Sequence, residues 1–316
     1  MKMNEPIGCW EEKDENSFVI ILRTKGCSWA KCHMCGYKSA SMPNISDENI
    51  LKQFEYAMNR AKEKYNTIKI YNSGSFFDTT DLSEKLREKI LLEASEKGNK
   101  VIVESRPEYI NEKVLEEAKN ACNNLEIAMG LESANNNVLS LSVNKGFTFE
   151  DYISAAKLIV RNGISLRAYI LIKPIFLTEN EGIIDSISSA LRISEYANTI
   201  SFNPVNVQKN TFLEKLWKEK KYRPPWLWSV LEVLLETKKK VDKQGTKVPY
   251  LVCYPVGGGK IRGTHNCFNC DFEILKKIRK FSLSQDISLL SHECKCKELW
   301  KDILEIEGFG LGSALM

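Results

Sequence analysis

Between residues 17 and 254, short runs of β-branched and aliphatic residues alternate with longer segments of helical periodicity, and this alternation limits the fold more than any other feature. The runs are SFVIILRT (17–24), TIKIYN (67–72), KVIVES (100–105), NLEIAMGLES (124–133), SLRAYILI (165–172), TISFNPV (199–205) and a possible further strand, VPYLVCY (248–254). Between the first two lies SDENILKQFEYAMNRAKEKY, with Ser46 as N-cap, acidic residues in the first turn, and Ile50, Phe54, Ala57, Met58 and Ala61 at helical spacing. Further helices are expected near 81–97, 111–121 and 180–197, after Thr148 with Asp151 as its capping-box partner, and through PPWLWSVLEVLLETKKKVDK. Strands separated by helices imply a parallel sheet, and right-handed crossovers bring every strand C-terminus to the same side. The expected fold class is α/β. A closed eight-stranded barrel normally takes about 250 residues, so a partial (β/α)6-type barrel over residues 1–250 is expected, followed by a cysteine-rich module over 251–316.

The composition, 43% hydrophobic and 27% charged, is that of a globular chain. No run approaches the roughly 18 apolar residues of a membrane span, and MKMNEPIGCWEEKDENS lacks the apolar stretch of a secretory signal. The expected location is cytoplasmic, with no membrane partner. Ten cysteines in a reducing compartment point to metal or redox chemistry rather than to a disulfide framework. Cys27, Cys32 and Cys35 form one group, and Cys267, Cys270, Cys294 and Cys296 another. Cys9, Cys122 and Cys253 stand apart and read as small buried hydrophobes.

The first group follows a strand, on the side of the sheet where the other strand-end segments are also polar: NSGSFFD, ESRPEY, GLESANNN, the residues around Arg167, and NPVNVQKN. A closed zinc site needs four ligands, and His33 would be crowded between Cys32 and Cys35. Three thiolates suit a cubic iron-sulfur cluster instead, with one iron left open for an exchangeable ligand.

GCSWAKCHMC resembles the cluster loop of the radical S-adenosylmethionine (SAM) superfamily, although four residues rather than the commoner three separate Cys27 from Cys32. The resemblance implies a 4Fe-4S cluster held by Cys27, Cys32 and Cys35, through which they act in catalysis, with SAM bound at the open iron. It further implies SAM contacts from Ser73, Gly74 and Ser75 after the second strand, from Glu104 and Arg106 in VESRPEYI, and from Glu132 in GLES; Arg167 joins this set as a strand residue. More narrowly, GCSWAKCHMCGYKSAS, YNSGSFFD, ESRPEYI and GLESANNNVLSLSVNKGFT resemble the radical-SAM archaeosine enzymes, the β subunits of archaeosine synthase. That family implies a lyase that converts a lysine adduct of 7-cyano-7-deazaguanine at tRNA position 15 to archaeosine through a 5'-deoxyadenosyl radical. Its implied partners are tRNA, a protein that attaches the lysine, and an electron donor. The alternatives are a radical-SAM enzyme acting on another tRNA base or a small molecule, and a zinc-containing RNA-binding protein without enzymatic activity.

In the C-terminal module, CxxC and a CxC 23 residues later supply four thiols for a closed site, with zinc as the expected ion and a second cubic cluster as the alternative. His265 and His292 flank the pairs and read as surface or supporting residues. A net charge of +4 is too small to argue for nucleic acid by itself. Basic runs at 215–223, 238–247 and 276–280, with Tyr222, Trp226 and Trp228 expected at the surface, are the candidate tRNA contacts. The glycines at 257–259 read as a flexible turn, since the spacing is not that of a phosphate loop.

Overall fold

In a computed structural model, residues 3–245 and 247–310 are described. Positions 1–2 and 311–316 of the two expected domains, and position 246 within a basic run, lie outside these residues. Eight strands form one sheet in chain order: β1 (Gly8–Glu12), β2 (Ser17–Leu22), β3 (Tyr65–Asn72), β4 (Gly98–Ser105), β5 (Leu125–Glu132), β6 (Ser165–Ile172), β7 (Thr199–Pro204) and β8 (Tyr250–Cys253). β2 with β3, β3 with β4, β4 with β5, and β7 with β8 pair in parallel. The sequence reading lacks β1, an antiparallel edge strand that places Gly8 opposite Ile21 and Glu12 opposite Ser17. Its alternation is too short to stand out, and it is held by side chains: Glu11 accepts from the Tyr65 hydroxyl at 2.6 Å, and Glu12 and Glu15 take the buried Lys69 ammonium.

The nine α-helices among the described residues are α1 (Asp47–Met58), α2 (Glu84–Lys97), α3 (Glu112–Ala121), α4 (Phe149–Arg161), α5 (Glu179–Ile193), α6 (Phe212–Lys218), α7 (Leu227–Gln244), α8 (Asp271–Ser284) and α9 (Cys296–Gly310). Local chemistry fixes their starts. Ser46, Ser83, Asn111 and Thr211 each accept a backbone N–H of the first turn, and Thr178 with Glu181 forms a reciprocal capping box. Each cap satisfies donors that the helix itself leaves orphaned.

The described residues belong to two compact units. The first comprises Met1–Ala30, Gly36–Gly130 and Asp151–Arg167, and its core includes Phe18, Ile20, Ile70, Val103, Ile127 and Tyr152. The second comprises Lys31–Cys35, Leu131–Glu150 and Ala168–Met316. There, Met34, Val138, Val143, Ile175, Leu213 and Tyr222 share one cluster.

Tyr222, Trp226 and Trp228 are buried, contrary to the expectation that they lie at the surface. The apolar face of α7 takes Trp228 inward, and the Tyr222 hydroxyl donates to the Lys173 carbonyl at 2.8 Å. Gly258 also differs from a merely flexible turn: a Cβ there would meet Leu275 Cδ2 at 2.6 Å, so close packing on α8 favours glycine.

Candidate functional site

The loop after β2 begins in the first unit, where Asp81 organises it. One Asp81 oxygen accepts from the Thr24 hydroxyl (2.9 Å) and the Asn72 amide (2.8 Å), and the other from the Gly26 N–H (2.9 Å). Burial pushes the Asp81 carboxyl up, against these three hydrogen bonds, and the nearby Asp78 charge adds to the rise. Burial also opposes ionisation of Asp78, but hydrogen bonds from Ser28, Thr80 and Tyr109 outweigh it and hold that carboxyl below its usual range. Gly74 packs so tightly here that a Cβ would meet Asp81 Oδ2 at 2.3 Å and the Gly26 carbonyl carbon at 2.8 Å. Glycine at 74 is thus a packing requirement whatever the loop binds.

Lys31–Cys35 belong to the second unit, where backbone and side-chain contacts hold them. His33 N–H donates to the Val143 carbonyl at 3.0 Å, its Nδ1 lies 2.9 Å from the Ser142 carbonyl, and its own carbonyl accepts from Leu213 at 3.2 Å. Asn144 Nδ2 donates to the Lys31 carbonyl at 3.0 Å, and Met34 enters the core cluster. Ser142, Val143 and Asn144 end a π-helical turn, Val138–Val143, whose wide pitch accompanies functional positions in many helices. Nothing in the pattern of NNNVLSLSVNKG marks this turn, whose carbonyls meet residues far earlier in the chain. Cys27, Cys32 and Cys35 are half-buried and free of disulfides.

After β3 and β4 the expected polar residues appear in the first unit. Ser75 Oγ accepts from Arg106 N–H at 3.3 Å, and Phe76 N–H donates to the Glu104 carbonyl at 2.8 Å, which binds one strand exit to the next. Arg106 is 8% exposed; its guanidinium pairs with Glu108 and lies 5.7 Å from the Trp29 ring centre. Asn72 Oδ1 and Ser73 Oγ are buried without a hydrogen-bond partner. Such atoms are costly unless something polar meets them. They lie in the segment expected to meet the SAM amino group, so the residues present fit such a ligand.

Glu132 ends β5 with φ of 70°, a left-handed conformation that is unfavourable for glutamate. In the second unit Lys145 Nζ donates to its carboxylate at 2.6 Å. Lys145, quoted in the sequence but given no role, thus stands beside Glu132 as a further candidate. Arg167 differs from its expected place among the SAM contacts. It is the third residue of β6 and pairs at 2.6 Å with Glu126, the second residue of β5, which also takes Lys100 from the start of β4. These are strand N-terminal positions, away from the strand exits, and their role is to neutralise one another in the sheet interior.

Cys267, Cys270, Cys294 and Cys296 bring their sulfurs within 4.8 Å of one another. Among the described residues no other group of three or more histidine, cysteine or carboxylate ligands is so tight. His265 and His292 stand outside the quartet and stack on Phe268 and Trp228 respectively. Cys122 and Cys253 are buried as expected, whereas Cys9 is half-buried.

The Radical SAM superfamily pattern matches residues 21–187. The chain is 39% identical to archaeosine synthase subunit beta of Methanosarcina acetivorans over 99% of its own length and 94% of that protein. It is 36% identical to archaeosine synthase subunit beta of Thermococcus kodakarensis, over 93% of each chain. Among solved structures, the queuine lyase of Clostridium spiroforme bound to SAM and queuine aligns with a TM-score of 0.51 at 19% identity, over 68% of this chain and 87% of that one. SuiB of Streptococcus suis bound to S-adenosylmethionine aligns at 0.53 and 12%, over 76% and 52%. These two likenesses concern the fold, an α/β partial barrel. With cysteines spaced for a cluster after the first parallel strand and near end-to-end identity to two curated relatives, this chain belongs to the radical SAM superfamily and, within it, to the archaeosine synthase subunit beta family.

Proposed function

We propose that this protein is a tRNA-modifying radical-SAM lyase that forms archaeosine from a lysine-bearing 7-deazaguanine at tRNA position 15. The observation that carries the reading is identity to the archaeosine synthase β subunits over nearly the whole of both chains. Cys27, Cys32 and Cys35 would hold the 4Fe-4S cluster, and Ser73, Gly74, Ser75, Glu104, Arg106 and Glu132 would line the SAM position. When bound, cluster and SAM supply a 5'-deoxyadenosyl radical able to remove a hydrogen atom from an unactivated carbon.

The chain's own residues hold this chemistry in place. Gly74 allows the segment after β3 to lie against Gly26, and Asp81 fixes both. Asn72 Oδ1 accepts a hydrogen bond and Ser73 Oγ accepts or donates one, which suits an amino group. Arg106, held by Ser75 and Trp29, offers a cation to a carboxylate. Lys145 fixes the orientation of the Glu132 carboxylate.

The hydrogen removed is the one on the lysine ε-carbon, beside the nitrogen joined to the base. Loss of one further electron to a one-electron acceptor would turn the ε-carbon radical into an iminium. Addition of water, or of the lysine α-amino group, at that carbon would then break the carbon-nitrogen bond, leaving the nitrogen on the base as the formamidine of archaeosine and releasing lysine as its aldehyde or cyclic imine. An α-type partner that attaches lysine, and an electron donor, complete the system. The test is anaerobic reconstitution with dithionite, SAM and tRNA whose adduct carries deuterium on the lysine ε-carbon. Deuterium in 5'-deoxyadenosine together with archaeosine supports the reading; unlabelled 5'-deoxyadenosine, or cleavage indifferent to this tRNA, rejects it.

A further inference from the structure

We propose that Cys267, Cys270, Cys294 and Cys296 hold a single zinc ion in a closed tetrahedral site, and that this ion fixes the N-terminal ends of three helices of the second unit. A tetrahedron of thiolates about 2.3 Å from zinc has sulfur-sulfur edges of about 3.8 Å. The sulfurs stand 3.8 Å apart for Cys267 and Cys270, 3.8 Å for Cys267 and Cys294 and 3.7 Å for Cys270 and Cys296. Disulfides are much shorter, about 2.05 Å. A cubic cluster places an iron-sulfide cage between the thiolates and spreads them well beyond these edges. Four sulfurs within 4.8 Å of one another, three of the pairs at tetrahedral edge length, would leave no position for substrate around a shared ion, which is the arrangement of a structural ion. Zinc imposes no electronic geometry and binds such a site above iron(II) in the affinity order.

The surroundings are built for thiolate charge. Cys270 directly precedes α8 and Cys296 is the first residue of α9, so two ligands stand at positive helix ends. Asn266 Nδ2 donates to Cys270 Sγ at 3.5 Å. The buried Trp228 indole N–H has no oxygen or nitrogen acceptor and lies beside Cys296. Asp271 gathers the knuckle by accepting from Asn266 N–H at 3.1 Å and from Phe268 N–H at 3.1 Å. Phe268 itself has φ of 67°, a strained turn that needs such external support.

From the knuckle the connections run inward. Asn266 Oδ1 accepts the first two N–H groups of α7, from Leu227 at 2.9 Å and Trp228 at 3.4 Å. On the same helix, Ser229 accepts from Trp300 of α9 at 2.9 Å and donates to Glu179 at 2.6 Å. Glu179 also takes the Lys173 ammonium at 2.7 Å, immediately after β6. The ion would therefore steady the β6 exit through buried hydrogen bonds rather than through reaction.

The inference is independent of the proposed reaction and is tested by counting metals. The protein and its Cys27→Ala/Cys32→Ala/Cys35→Ala variant are purified without oxygen, checked by circular dichroism, and analysed for zinc, iron and acid-labile sulfide. The wild type should hold about one zinc and about four irons, and the variant about one zinc with iron reduced at least about tenfold. Cys267→Ser/Cys294→Ser should lose the zinc at least about fivefold while keeping its iron and sulfide. About eight irons in the wild type, about four irons with sulfide in the triple variant, iron alone in place of zinc, or no metal at the quartet would each overturn the proposal.

Discussion

The loop carrying Cys27, Cys32 and Cys35 is anchored by contacts spread along its backbone and neighbouring side chains, including Ala30 N–H to Cys27 Sγ at 3.5 Å, whereas the C-terminal quartet meets through its sulfurs. In the first region the backbone of Gly26 and His33, the carbonyl of Lys31 and the side chain of Met34 make the attachments. In the second, sulfurs 3.7 to 3.8 Å apart face one another. Such thiols repel when ionised, and the proposed zinc ion would hold them together. A loop shaped by contacts along its backbone would receive the proposed cluster with an iron left open. A knuckle completed by its ion has no coordination site to offer.

The sharpest test of this contrast removes the first set of thiols. The Cys27→Ala/Cys32→Ala/Cys35→Ala variant should lose 5'-deoxyadenosine formation by at least about a hundredfold, since the cofactor carries the chemistry, while its melting temperature stays within about 3 °C of wild type because little is removed from the packed interior. Calorimetry beside product analysis reads both. Collapse of the fold would show that the loop also depends on its ligand. Cys294→Ser reverses the pattern: the melting temperature should fall by about 10 °C or more, as expected where binding an ion contributes to folding.

Gly74→Ala comes next. The added methyl displaces Asp81 or Gly26, and a shift of that size should lower SAM cleavage about 10- to 100-fold, with iron content unchanged by mass spectrometry. Wild-type turnover in this variant would separate the loop's shape from its activity. Lys145→Met leaves Glu132 a largely buried, uncompensated carboxylate and should cost about 2–4 kcal/mol in urea unfolding; adding Glu132→Leu should recover at least half of it. An equal loss in single and double variants would mean that the pair adds nothing beyond packing.

The smallest effect belongs to neither cysteine region. Asp185, on α5, is buried and its carboxyl is pushed up to about 6 by burial, against a hydrogen bond from Ser133. Its favourable contribution as an acid is present below about pH 4 and is lost as pH rises through about 6. Asp185→Asn should therefore stabilise the protein by about 1–2 kcal/mol at pH 7.5 and by little at pH 4.5. A gain independent of pH would reject the titration.

Much of this architecture is local enough to be legible in one sequence. The seven runs from SFVIILRT to VPYLVCY all contain strands, and Ser46 caps its helix, because alternation and capping act within a few residues. The cysteine groups are legible for the same reason: ligand spacing lies along the chain. Features set by distant partners are not. Asp81 is an ordinary acidic residue until Thr24, Gly26 and Asn72 converge on it. Arg167 looks like a rim residue until Glu126 and Lys100 place it at the strand starts. Trp226 and Trp228 beside basic runs suggest a surface, yet the helix turns them inward. The π-helical turn depends on carbonyls answering His33, more than 100 residues earlier in the chain.

The carboxylate of Asp81 has a consequence for descent as well as for shape. Thr24, Gly26 and Asn72 each donate to it, and Gly74 leaves no room between it and the neighbouring backbone. Changes at these positions share a partner, so their effects cannot be additive. Once Asp81 is lost, the restriction on Thr24 relaxes and that on Gly74 eases only in part, since the Gly26 backbone still crowds a Cβ there; while it remains, a change at either is exposed to selection by itself. Among relatives that keep this loop, the five positions should be inherited as a block, and a chain that has replaced one of them is the place to look for replacements at the others.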